Sequence, residues 1–124
     1  MAAEFYSAQR NVLTQIVQVA KDGQIPSRVE EGQPFENCSD QQCVARGKKL
    51  MVMVRNAGAI SMVANEQCYV GSKCSLSILI DRRGIAISGS GTEVIFDEAP
   101  DWGTFVIHRL DSAPSGWFYR HLGD

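Results

Sequence analysis

The apolar residues of this chain change their spacing once, and that change constrains the fold more than any other feature. Near the N-terminus Val12, Leu13, Ile16, Val17 and Ala20 recur at three- and four-residue intervals, with Phe5 and Tyr6 continuing the stripe. That period places them on one face of an α-helix. From residue 49 onward the period becomes two, and every later apolar segment is short and alternating. Alternation puts successive side chains on opposite faces of a strand. One amphipathic helix over about residues 3–22, followed by an antiparallel sheet over 48–122, is therefore the expected α+β architecture.

The helix has a marked stop. Lys21 lies in its last turn, Gly23 stands where a C′ glycine would, and Pro26 follows. Its start carries no Ser, Thr, Asp or Asn cap before Phe5. Residues 24–47 are punctuated by Pro26, Gly32, Pro34 and Gly47 and read as a long polar connection. Strands are expected at 49–55, 59–64, 75–81, 85–87, 93–97, 104–110 and 117–122, separated by turn residues such as Gly58, Gly84, Gly91 and Gly116. Leu50, Val52 and Val54 would face one way; Leu76, Ile78 and Ile80 would point inward, as would Val94 and Phe96. Six or seven strands in a meander, covered on one face by the helix, make one domain of 124 residues.

Four cysteines fall as two local pairs, Cys38/Cys43 and Cys68/Cys74. Structural zinc prefers ligand pairs two to four residues apart, so Cys38/Cys43 sits at the limit of that range and Cys68/Cys74 lies beyond it. The spacings favour disulfides over zinc, with buried free thiols as a third state. Of the three possible pairings, the two local bridges are the expectation, each closing a small loop. Disulfides imply the periplasm, the cell surface or secretion. An export or anchoring segment removed ahead of Met1 would reconcile that compartment with an opening, MAAEFYSAQR, that lacks a signal peptide. A Cys38–Cys43 bridge would pin the 24–47 connection, and the polar residues between, Ser39, Asp40, Gln41 and Gln42, would form an exposed loop for partner contact.

The formal net charge is -2 and the basic residues are scattered, which excludes the clustered basic face that nucleic acid requires. No run of apolar residues is long enough to span a membrane. His108 and His121 have no nucleophile and orienting acid at a recognisable spacing. Gly89-Ser90-Gly91 leads into a strand rather than a helix N-terminus, so it reads as a turn and not a phosphate cradle. Asp97, Glu98 and Asp101 lack the order of a calcium loop. Asn37-Cys38-Ser39 formally fits a glycosylation acceptor, with a cysteine at its centre. Met51, Met53 and Met62 read as core. Trp102 and Trp117, with Phe118 and Tyr119, are the aromatic residues that could form a patch for a protein partner. No catalytic residue, cofactor or metal site is expected.

Two resemblances follow from these segments. The uncapped helix, the run Lys21-Asp22-Gly23-Gln24-Ile25-Pro26-Ser27 that closes it, and the later strands through Ile95-Phe96 and Gly103-Thr104-Phe105-Val106-Ile107 to Leu122-Gly123 resemble the soluble domain of type IV minor pilins and type II secretion pseudopilins. Both cysteine pairs lie earlier than the C-terminal pair of major pilins, so the resemblance is to the minor members. Glu31-Gly32-Gln33-Pro34-Phe35, then Cys38 and Cys43, then Lys49-Leu50-Met51-Val52 resemble the disulfide loop and following strand of the periplasmic inhibitor of vertebrate lysozyme, without the histidine of that loop. The first resemblance implies a noncatalytic envelope subunit that acts through protein contacts and is oligomeric only within an assembly. The second implies an enzyme inhibitor or immunity-type protein whose Cys38–Cys43 loop enters a cleft.

Overall fold

The structure, a computed structural model, describes residues 2–71, 74–81, 91–97, 108–110 and 116–122. Helix α1 (Ala2–Asp22) leads, followed by the short strand β1 (Arg28–Glu30) and a second helix, α2 (Gln41–Asn56). Strands β2 (Ser61–Glu66), β3 (Ser75–Asp81), β4 (Gly91–Asp97), β5 (His108–Arg109) and β6 (Gly116–Leu122) complete the order, with a 3-10 turn at Cys68–Val70 between β2 and β3. All strand pairs are antiparallel, in the order β1-β2-β3-β4-β6-β5.

The α+β class and the N-terminal helix are as the periodicity implies. Leu13, Ile16 and Ala20 are fully buried, and Val12 and Val17 flank them half-buried against the same core. Each such aliphatic side chain withdrawn from water contributes about 1.5–3 kcal/mol. Gln9 departs from helical dihedrals (φ -111°, ψ 16°), and α1 bends there. Beyond the bend Tyr6 meets Trp117 of β6 with ring centroids 6.2 Å apart, and Trp117 meets Phe96 of β4 at 5.1 Å. Tyr6 in the first turns of α1 thus lies over β6, and the helix also packs on β4, α2 and the 3-10 turn.

Three expectations are corrected. Residues 49–55 are helix, not strand, and the 24–47 connection contains both β1 and the start of α2. In α2 the buried positions are Cys43, Gly47, Leu50 and Val54, followed by Ala57 at its end, which are helical steps. Val52, expected to share a face with Leu50 and Val54, is 53% exposed. Five apolar residues in succession from Leu50 to Val54 fit either period, and burial of every third or fourth residue decides between them. Second, two helices rather than one accompany the sheet. Third, the meander is interrupted: β6 pairs with β4 along its whole length, so β5 lies outside it at the edge. Of the strands expected in 48–122, five are present among the described residues, β2 to β6, and β1 is added from the segment expected to be loop. Residues 85–87 and 104–107 lie outside the described residues.

Cross-strand register builds the core. Val29↔Met62↔Ile78↔Val94↔Tyr119 and Ala64↔Leu76↔Phe96↔Trp117 run across the face that the helices cover. On the opposite face Glu93 faces Arg120 directly, and Arg120 donates to the Glu93 carboxylate from Nε at 3.1 Å and Nη2 at 3.0 Å.

Close approach, not backbone handedness, explains two glycines. Gly23 is not among the residues with positive φ, so it is not the left-handed cap its position suggests. A Cβ there would overlap the guanidinium of Arg46, which reaches from α2 to donate to the Gln24 carbonyl at 3.3 Å. At Gly47 a Cβ would stand 2.7 Å from Pro26 Cγ and 2.9 Å from Phe35 Cε2. Glycine therefore sets how near α2 approaches the α1–β1 connection.

Candidate interaction surfaces

Both cysteine pairs are disulfides in the local pairing, Cys38 with Cys43 and Cys68 with Cys74. No free cysteine occurs among the described residues. Nor does any group of three or more His, Cys, Asp or Glu stand together there as a metal site.

The first bridge is part of a helix start rather than of a protruding loop. Asp40 is the N-cap of α2; its Oδ1 accepts from the Gln42 amide at 2.6 Å and from the Cys43 amide at 3.1 Å. Gln41 and Gln42 begin the first turn. Cys43 is fully buried although the polar residues before it point to an exposed loop. Ser39, Asp40, Gln41 and Gln42 themselves all remain exposed. Before the bridge, Asn37 takes φ 57°, a left-handed conformation asparagine tolerates, and its side chain donates to Ser27 Oγ at 3.2 Å. The Glu36 carbonyl accepts from the Ser27 amide at 3.1 Å and the Asn37 carbonyl from the Gln24 side chain at 3.0 Å. The connection is held by these bonds on one side and the disulfide on the other.

The second bridge, Cys68–Cys74, closes a loop whose ends are buried and whose described middle is not. Tyr69 is 47% and Val70 69% exposed, side by side on the 3-10 turn. With Val52 and Val63 they are the large apolar residues exposed among the described part of the chain.

At the other end of β2 a cavity of about 170 Å³ opens between α2 and β1. Val29 and Val54, both buried, line it with Met51 of α2 and with Ala59 and Ile60 of the α2–β2 connection. Glu30, Glu31, Arg55 and Gly58 complete the lining. Arg55 donates to Glu31 at 2.8 Å, and Arg28 to Glu30 at 2.9 Å. Both pairs are exposed on at least one side, so they add little to the stability of the fold. Sequence reasoning missed this cavity because it assigned residues 49–55 to the sheet, and only a helix there places Met51, Val54 and Arg55 beside β1.

The candidate aromatic patch divides. Trp117 is 7% exposed and belongs to the core with Tyr6 and Phe96. Phe118 is also buried, on the opposite face of β6, where Arg109 lies 5.3 Å from its ring centroid. Trp102 lies outside the described residues, as do Glu98, Asp101 and the Gly89-Ser90 part of the turn. His108 and His121 occupy strand positions opposite Tyr119 and Thr92. No helix of the described residues is long and apolar enough to cross a membrane. Comparison with protein-family models, curated proteins and solved structures finds no match for the chain.

Proposed function

We propose that this chain is a noncatalytic subunit of a cell-envelope assembly, pilin-like or pseudopilin-like, acting through protein contacts in the periplasm or at the cell surface. The observation that carries this reading is the placement of α1. It buries one stripe against the core and leaves Ser7, Asn11, Thr14, Gln15 and Gln18 exposed along its length. A helix with one face committed to its own domain and a second, weakly charged face can carry contacts to neighbours. The two disulfides support an oxidising compartment.

The test is to attach an apolar N-terminal helix to Ala2 and express the fusion in cells that possess the assembly machinery. A pilin-like subunit enters the filament or pseudopilus; a fusion that stays in the membrane as a monomer counts against the reading. The inhibitor alternative draws on the exposure of residues 39–42. Deleting that segment would remove the α2 cap as well, so the clean probe is Ser39→Ala with Gln41→Ala and Gln42→Ala. Loss of binding to an enzyme partner by this triple variant, with stability retained, would favour the inhibitor over the subunit.

A further inference from the structure

We propose that Cys38 is a site of thiol–disulfide exchange, where a dithiol opens the Cys38–Cys43 bridge and frees residues 33–37 from α2 while the rest of the domain stays folded. The inference goes beyond the subunit reading and does not depend on it.

The two bridges differ in access. Cys68 and Cys74 are both buried, and so is Cys43. Cys38 alone of the four is not, and it stands between Asn37 and Ser39, which are exposed. Exchange begins when a thiolate reaches a disulfide sulfur. The bridge with an accessible end therefore reacts in the folded state, while the other waits for the structure to open. Cys43 is the third residue of α2, where the amide dipoles favour a thiolate as leaving group. The Asp40 carboxylate, whose Oδ1 lies 3.1 Å from the Cys43 amide, opposes it. These influences act against each other, and access selects Cys38 as the sulfur attacked.

The step is a two-electron exchange. A thiolate of the dithiol forms a bond to Cys38 Sγ, the bond between Cys38 and Cys43 breaks, and Cys43 Sγ leaves with the electron pair and takes a proton from water. The second thiol of the reagent, as its thiolate, attacks the reagent sulfur of the mixed disulfide and displaces Cys38, which is protonated in turn. The protein disulfide is reduced to two thiols, and the dithiol is oxidised to a disulfide.

The segment before Cys38 is built to open locally. Gln33, Pro34, Glu36 and Asn37 are exposed, and only Phe35 is half-buried, lying with Pro26 against Gly47 of α2. Its other ties run to the α1–β1 connection: the Ser27 amide donates to the Glu36 carbonyl at 3.1 Å, Asn37 Nδ2 to Ser27 Oγ at 3.2 Å, and Gln24 Nε2 to the Asn37 carbonyl at 3.0 Å. A segment with few buried contacts and solvent-exposed hydrogen bonds opens at the low end of the stability range. The bridge is its covalent tie to α2. The core residues Val29, Leu50 and Val54 are fully or almost fully buried and lie outside the segment, so they remain packed when it lifts.

The experiment treats the oxidised full chain, without denaturant, with dithiothreitol as the dithiol and, separately, with glutathione to trap the mixed disulfide. Timed samples are acid-quenched, alkylated and mapped by peptide mass. Cys38 and Cys43 are expected to become reactive together, at least about ten-fold faster than Cys68 and Cys74, and the glutathione adduct is expected on Cys38. Amide exchange is then measured in dithiothreitol while only the first bridge is open. The Ser27 amide, which reports the bond to Glu36, should exchange at least about ten-fold faster than in the oxidised chain, with β3 and β4 keeping their protection. Equal rates for the two bridges, Cys68–Cys74 opening first, or an adduct on Cys43 overturns the exchange site. Unchanged exchange at Ser27, or lost protection in β3 and β4, overturns the local release. None of these results touches the fusion test of the subunit reading, which is made on the oxidised chain, so the two can fail separately.

Discussion

The side-chain amide of Gln67 holds the backbone of Ile25 at two points: its Oε1 accepts from the Ile25 N–H and its Nε2 donates to the Ile25 carbonyl, each at 3.1 Å. Ile25 is fully buried just beyond α1, and Gln67 follows the end of β2. The pair does for one residue what a strand ladder does for several. It satisfies two buried backbone groups that have left the helix and not yet entered β1.

Gln67→Ala should therefore destabilise the fold by about 2 kcal/mol or more, since each buried group left without a partner costs about 1–3 kcal/mol. Gln67→Met keeps the length and loses both hydrogen bonds, and it should lose nearly as much in urea denaturation. A Met variant within a few tenths of a kcal/mol of wild type would show that the side chain acts through volume and not through pairing.

Position 47 should invert the usual preference of helices. Alanine exceeds glycine by about 1 kcal/mol in a helix interior, and Ala45→Gly on the exposed face of α2 should show that loss. Gly47→Ala should be destabilising instead, by about 1–3 kcal/mol of overpacking less the propensity gain, because Pro26 Cγ stands 2.7 Å from the new Cβ. Thermal denaturation of the two variants side by side decides the matter; a stabilised Gly47→Ala would mean the α1–β1 connection yields freely.

Gly23 and Arg46 should behave as a coupled pair. Gly23→Ala displaces the guanidinium and its hydrogen bond to Gln24, for a loss of about 1 kcal/mol. In an Arg46→Ala background the same substitution no longer meets the guanidinium that crowds it, and the loss should shrink or vanish. A double-mutant cycle measures this directly, with an interaction energy of about 0.5 kcal/mol or more as the expected result.

Replacing Cys38 and Cys43 by serine should cost about 2 kcal/mol, the chain-entropy value for so short a loop. The effect should be local in the first instance. Amide exchange at Gln42, Cys43 and Val44 should accelerate more than exchange in β3 and β4, because the bridge holds the first turn of α2 while Asp40 caps it. Asp40→Ala should act on the same amides and lose about 1 kcal/mol. Uniform acceleration throughout the molecule would mean that the bridge stabilises the domain as a whole and not the helix start.

Much of the architecture is legible in the order of residues. The apolar stripe from Leu13 to Ala20 fixes α1, and clean alternation in 75–81 and 93–97 fixes two central strands, since those patterns fit only one period each. Local spacing also favoured the disulfide pairing that forms. Helix α2 was not legible because Gly47 interrupts it, its first half is polar, and Leu50 to Val54 is apolar without a break. Asp40 was a cap signal in plain view, obscured by the neighbouring cysteine.

The sequence by itself determined the class of fold, the N-terminal helix and the inward face of the central strands, because each depends on residues close along the chain; it favoured the local cysteine pairing that the structure shows. Only the tertiary structure decided that α2 is a helix, that β6 lies between β4 and β5, that Trp117 is core, and that a cavity and an apolar turn occupy opposite ends of β2. Those outcomes depend on which distant segments bury one another. A run of apolar residues does not state its partner; Leu50 and Val54 take helical spacing because the face they must cover, Val29 and its neighbours, is fixed elsewhere in the chain.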